Sequence, residues 1–349
     1  MHDTVFSRLR GFKWAGAVTI WTLVRRRGCS DPVRFGSAWT PVLAPQYGLV
    51  MANPGPGRKQ RTGRSAKNIL LVVLFAALAS FDAACATLGR KLAFPGLMQG
   101  DPRAVLPASP NYELIPLRTK DGTKIIGQFG KALEIAGRPS ADSAHAPTVL
   151  CFYGSGQHLS APSNQKLFND LRGMGVNVFI PEFPGYGMSD GSPSESQYYA
   201  TADASLDYLL SRPDIDHGRI IAAGRSLGTG TAFDLASRRK LAGLISVGGF
   251  TTTADALAGL VKWLPRGVVN SIAADCRFDN LAKIKSVSCP ILLVYGVRDT
   301  LIPPWMADRL ANEAVSPVTK LPVPTEHNSL WKSAATGLNQ VVYDWMHAR

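Results

Sequence analysis

The chain has 349 residues, 46% of them apolar, a formal net charge of +13 and five cysteines. That length and apolar content exclude a disordered polymer, and the few scattered cysteines exclude a disulfide-stapled miniprotein. The charge does not argue for nucleic acid: residues 1–68 hold 12 Lys and Arg against two Asp, which leaves +3 for residues 69–349, and no nucleic-acid-binding motif accompanies the tail.

In chain order, residues 1–68 read as a basic, disordered tail. The marks of a secretory leader begin only after Met51. A basic stretch from Arg58 to Lys67 leads into the apolar run Ile69–Ala79, and small residues follow at Ala84-Cys85-Ala86. Residues 1–50 therefore read as an extension upstream of the true start, or else as a real tail that holds Trp14 to Val24 at a membrane surface. Residues 69–90 are expected to be a signal peptide or a membrane anchor helix, although Asp82 cuts the run to about 13 residues, short of the ~20 that span a bilayer. Cys85 after Ala83-Ala84 resembles a lipidation site, except that Asp82 stands where an aliphatic residue is wanted. A basic amino-terminal flank would keep that end cytoplasmic, so a membrane-associated or exported cell-envelope protein is expected, with a cytoplasmic one as the alternative. Residues 91–111, rich in Pro, Gly and Ala, form a linker.

Residues 112–349 carry a different pattern. Tyr112–Thr119 and Lys124–Leu133, joined through Asp121-Gly122, read as an antiparallel hairpin. Strands and helices then alternate: strand 148–153, helix 162–173, strand 176–182, helix 194–212, strand 218–223, helix 227–239 and strand 241–248. A strand at 290–296, a helix at 304–315, a short strand at 319–321 and a helix at 329–347 complete the chain. That alternation predicts an α/β fold with a doubly wound, mostly parallel sheet of about eight strands and helices on both faces. Residues 249–289 interrupt it as a small cap, in which Ala256 to Leu264 has helix-spaced apolar residues.

The chemistry is carried by Gly224-Arg225-Ser226-Leu227-Gly228, placed where a short apolar run meets a helix. A turn that tight leaves no room for a side chain at 224 or 228 and lifts the Ser226 hydroxyl clear of the sheet. A serine needs a base, and the base needs an orienting acid. Only His327 and His347 follow Ser226. His327 sits in a loop after an apolar segment, where a base is expected, whereas His347, near the end of a helix, reads as solvent-facing. His145, His158 and His217 lie upstream. Asp299 stands just past the strand Pro290–Gly296 and is the candidate acid, with Asp255 in reserve; as a plain structural residue Asp299 would cap the next helix.

The oxyanion donors are expected to be the backbone N–H groups of Leu227 and of Ser155, the latter in the turn Tyr153-Gly154-Ser155-Gly156. Tyr153, Gly154, Tyr186 and Trp263 are candidate substrate-binding residues, and Met188 and Trp305 are further residues for the entrance. Cys276 and Cys289 would be the pair to form in an exported domain, but a buried thiol is the preferred reading of each. No Cys/His spacing or carboxylate cluster suits a metal, so neither metal nor cofactor is expected.

Four stretches carry a resemblance: Pro184–Ser194, Gly224–Gly230, Phe278–Ile284 and Cys289–Pro303. Through them residues 112–349 resemble the α/β-hydrolase superfamily, in the branch of Bem46-like proteins and the depalmitoylating α/β-hydrolase-domain enzymes. The resemblance implies Ser226 as nucleophile, Asp299 as acid and His327 as base. The chain departs from the family at three places: Tyr153-Gly154-Ser155 replaces His-Gly-Asn, Tyr295-Gly296 replaces His-Gly, and Glu326 replaces the glycine before the histidine. The expected function is a serine hydrolase that cleaves an ester or thioester of a small or acylated substrate. Amide or peptide cleavage by the same fold is the nearest alternative, and a non-catalytic envelope protein is the alternative from another class.

Overall fold

A computed structural model describes residues 104–134, 140–330 and 338–349, with part of the stretch 71–94. The tail 1–68, much of the expected leader, residues 95–103 and Cys29 lie outside the described residues. Among the described residues no helix is long and apolar enough to cross a membrane; most of the apolar run Ile69–Ala79 lies outside the described residues.

The hairpin β1 (Glu113–Arg118) and β2 (Lys124–Gly130) opens the sheet. There follow β3 (Thr148–Phe152), α1 (Pro162–Gly173), β4 (Asn177–Pro181), α2 (Glu195–Ser211), β5 (Ile220–Arg225), α3 (Leu227–Arg238) and β6 (Gly243–Val247). The cap region holds α4 (Thr253–Leu260), α5 (Arg266–Ile272) and the single turn α6 (Asn280–Lys283). Last come β7 (Ile291–Gly296), α7 (Trp305–Glu313), β8 (Val318–Val323) and α8 (Leu338–His347). The eight strands form one sheet in the order β1-β2-β4-β3-β5-β6-β7-β8. Only the β1/β2 and β2/β4 pairs are antiparallel. From β4 to β8 every pair is parallel.

Strands β3, β4 and β6 are buried along their whole length, as expected of parallel strands covered on both faces. Each Val, Leu or Ile so buried contributes roughly 1.5–3 kcal/mol relative to exposure. Helix starts follow local chemistry: the Ser194 side chain accepts the Gln197 N–H to cap α2, and Thr252 does the same for α4 through Asp255 N–H. Helix α3 is buried from Leu227 to Ala236, which makes it the central helix of its face. The parallel arrangement fixes the location of the site. All carboxyl ends of β3 to β8 point to one edge, so the segments after β3, β5, β7 and β8 emerge side by side.

Cys276 and Cys289 are buried thiols not joined in a disulfide, the preferred reading of each, as are Cys85 and Cys151. One expectation needs correction. His347 is half-buried rather than solvent-facing, with Nε2 against the Met174 carbonyl at 2.9 Å. The cap helix α4 is half-buried over residues 253–259, with Ala256 packed against the hydrophobic core.

Candidate active site

Ser226 stands between β5 and α3 with φ 50° and ψ −120°, a left-handed conformation rare for a residue with a side chain. The two glycines permit it. A Cβ on Gly224 would lie 2.5 Å from both the Gly228 carbonyl oxygen and Thr229 Cα, and one on Gly228 would lie 2.2 Å from the Phe152 carbonyl oxygen. The Ser226 N–H donates to the Val247 carbonyl at 2.9 Å, and its own carbonyl accepts the Thr229 hydroxyl at 2.6 Å. The turn is therefore tied to β6 on one side and to α3 on the other.

His327 follows β8 and Asp299 follows β7. The imidazole Nε2 lies 2.9 Å from Ser226 Oγ, and Nδ1 lies 2.6 Å from Asp299 Oδ2. Because the carboxylate only accepts, Nδ1 carries the proton and Nε2 is left to accept the serine's. The other carboxylate oxygen, Oδ1, accepts the N–H groups of Leu301 at 3.0 Å and Ile302 at 2.8 Å. Asp299 does not cap the next helix, whose N-cap is Pro304 with no side-chain bond; its second oxygen ties down the loop that precedes that helix instead. The Asp299 side chain is fully buried and that of His327 is 10% exposed, which keeps competing water from their shared bond. A neutral imidazole held this way can take a proton from the hydroxyl as it attacks, and the adjacent carboxylate stabilises the imidazolium that forms.

The other acids and imidazoles are engaged elsewhere. Asp255 accepts the Thr251 hydroxyl and pairs with Arg266. His145 meets Asp142, His158 meets the Ser160 hydroxyl, and His217 meets the Arg212 carbonyl.

The turn after β3 abuts the elbow, since a Cβ on Gly154 would sit 3.4 Å from both Ser226 Cβ and the Arg225 carbonyl oxygen. Leu227 opens α3, so its N–H has no carbonyl partner within the helix. Ser155 is exposed, and its hydroxyl donates to the Ala93 carbonyl at 2.9 Å. Two residues expected to touch substrate are placed otherwise. Tyr153 is 1% exposed, with its hydroxyl donating to Glu182 Oε1 at 2.6 Å and its ring edge-on to Phe183. Tyr186 is likewise 1% exposed. Both side chains belong to the aromatic core rather than to an open cleft, because the polar partners for their hydroxyls lie inside. Trp263 is 79% exposed beyond the end of α4.

Two residues went unnoticed in the sequence. Gly248, at φ +60°, faces the imidazole: a Cβ there would lie 3.0 Å from His327 Cε1 and 3.2 Å from Nδ1. The pair Gly248-Gly249 directly after β6 was the available signal. The second is Glu182, buried beneath Tyr153, whose signal was an acidic residue ending an otherwise apolar strand.

Comparison with known proteins agrees with this architecture. A family model described as alpha/beta hydrolase fold matches residues 147–276. The α/β-hydrolase domain-containing protein WAV2 of Arabidopsis thaliana is 30% identical over 239 residues, covering 64% of this chain and 73% of that one. Protein bem46 of Schizosaccharomyces pombe is 27% identical over 199 residues, 55% of this chain and 62% of its own. Among solved structures, an esterase from Pyrococcus furiosus superposes with a TM-score of 0.57 at 18% identity, over 71% of this chain and 98% of that one; at that identity the likeness speaks for the fold alone.

Proposed function

We propose, since the chain belongs to the α/β-hydrolase superfamily in its Bem46-like branch, that this hydrolase is a serine enzyme that cleaves a carboxylic ester or thioester by acyl transfer. The observation that carries the proposal is the unbroken hydrogen-bond chain from Asp299 through His327 to Ser226 Oγ. Ser226 Oγ attacks the acyl carbon while His327 Nε2 takes its proton. The negative charge that develops on the carbonyl oxygen is met by the N–H groups of Leu227 and Ser155. Collapse of the tetrahedral intermediate expels the alcohol or thiol, which receives the proton from His327. Water then repeats the sequence on the acyl-enzyme and releases the acid. Asp299 stays ionised throughout and holds the imidazole in the tautomer that leaves Nε2 free.

The strained serine backbone supports this further, because a non-glycine residue at positive φ persists only where its surroundings over-determine it, and such strain clusters at reactive sites. The test uses the full chain and a fluorophosphonate probe beside p-nitrophenyl esters of graded acyl length. The parent is expected to label and to turn over the esters, and Ser226→Ala to do neither. Equal labelling of parent and variant, or no labelling of the parent, would refute the assignment.

A further inference from the structure

Glu182 follows β4 directly and is 0% exposed. Among the described residues, each hydrogen bond its carboxylate accepts comes from a neutral donor. Tyr153 Oη donates to Oε1 at 2.6 Å. Leu159 N–H is shared between Oε1 at 3.0 Å and Oε2 at 3.2 Å, and Met188 N–H adds a further bond. The Tyr153 oxygen in turn accepts the Phe183 N–H at 3.0 Å. Tyr153 and Leu159 are the two ends of the loop that carries Gly154 and Ser155, so one carboxylate pins that loop at both ends. The same loop touches Ser226 through Gly154.

A buried acid without a counter-cation is a poor means of stabilising a fold, because desolvation works against its charge and a well-packed apolar residue would do at least as well. We propose that Glu182 is the positioning residue of the oxyanion loop: by holding the Tyr153 hydroxyl and the Leu159 amide together, it sets the Ser155 N–H against the carbonyl that Ser226 attacks. This rests on the serine-hydrolase assignment above. The ionised form is the one that holds the loop. All its neighbours donate, and a proton on either oxygen would turn an acceptor toward a donor and break one of the bonds.

The titratable groups that face Glu182 are Tyr153, Tyr186 and Tyr198, each pushed upward chiefly by burial and therefore neutral across the working range. Burial also raises Glu182, against the lowering effect of its hydrogen bonds, to about 7, so Glu182 is the member of the cluster that changes state near neutrality.

The test compares the full-length parent with Glu182→Gln and Tyr153→Phe. It measures p-nitrophenyl butyrate kinetics, inhibition by phenylboronic acid and thermal unfolding. The boronate forms a tetrahedral adduct on the serine and so reports on the oxyanion donors, whereas KM reports mainly on ground-state binding. Both variants are expected to melt cooperatively, with kcat about tenfold lower in Glu182→Gln and severalfold lower in Tyr153→Phe. KM is expected to stay within about twofold of the parent, and the boronate inhibition constant to rise in step with the loss in kcat. The acid limb of the parent's kcat profile should also lose one proton's worth of steepness in Glu182→Gln. Variants with parental kcat and boronate affinity would overturn the proposal and leave the hydrolase assignment standing. Parallel shifts of KM and kcat, with no selective loss of boronate binding, would also overturn it, as a merely structural effect. A parent that neither turns over ester nor labels would sink both. If Glu182→Gln does not fold, Tyr153→Phe decides on the same terms.

Discussion

Gly248→Ala is the most discriminating small change available at this site. The residue lies at φ +60°, and an alanine Cβ would sit 3.0 Å from His327 Cε1, 3.2 Å from His327 Nδ1 and 3.0 Å from Leu330 Cδ1. Ordinary carbon contacts are at about 3.5–4.0 Å, so ring and leucine must each give by a few tenths of an ångström. The left-handed backbone adds about 1 kcal/mol for a residue with a Cβ, which in a domain of this size lowers Tm by roughly 2–4 °C. A catalytic effect should accompany it. The ring is held between Asp299 at 2.6 Å and Ser226 at 2.9 Å, and it cannot retreat from Gly248 while keeping both bonds. Misplacement by 1 Å costs on the order of 100-fold, so a shift of a third of that predicts about a fivefold loss of kcat. The assay is p-nitrophenyl ester turnover, normalised to the serine population that reacts with fluorophosphonate, so that unfolded enzyme does not count. A parental kcat in a protein that melts a few degrees lower would refute the reasoning, since the backbone strain would then be real and the contact with the imidazole inconsequential.

Three further outcomes are expected. Asp299→Asn should lower kcat by roughly four orders of magnitude with KM little changed, because an amide can hold the wrong imidazole tautomer; a loss below about tenfold would remove Asp299 from its role. Glu182 should make the fold less stable as pH rises. Its folded pKa of about 7 stands above the ordinary carboxyl value of 4.5, so the folded state binds the proton more tightly. The associated stability is present below about 4.5 and is lost by about 7, on the order of 3 kcal/mol in all. Denaturant titrations at pH 5 and pH 8 should show the parent losing that much relative to Glu182→Gln, and a difference under about 1 kcal/mol would count against the linkage. Finally, Cys85, Cys151, Cys276 and Cys289 are buried thiols outside any disulfide, and burial pushes the Cys151 thiol up to about 12. These four thiols should react with a disulfide reagent only after denaturation, and reductant should leave Tm unchanged; rapid labelling of the native protein at any of them would contradict their burial.

The parts legible in the sequence were those fixed by local geometry. The elbow needs glycine at 224 and 228 whatever surrounds it, and the order Ser226, Asp299, His327 follows from strands whose apolar runs are continuous and whose ends are marked by Gly and Pro. The extents of α1, α3 and β7 came out within a residue or two for the same reason. What escaped was decided across the sheet. Tyr153 beside a glycine turn reads equally as a pocket wall or as core; its partner Glu182 is 29 residues away and is brought near only by the parallel pairing of β3 with β4. Gly248 has the same character, for it earns its glycine from an imidazole 79 positions downstream. The packing of the cap was illegible because helix-spaced apolar residues show that a face exists without showing what lies against it.

The cap region departs from the sheet after Val247 and returns at Ile291, on two strands that are hydrogen-bonded neighbours. Its exit and re-entry points are therefore held together by the ladder itself, and its length is free to vary without prising the strands apart. None of Ser226, Asp299 and His327 resides in it. A different excursion spliced between those two anchor points, leaving Gly248 in place, would leave Ser226, Asp299 and His327 where they are. The sheet thus anchors the excursion without tying its content to the three residues at the strand ends.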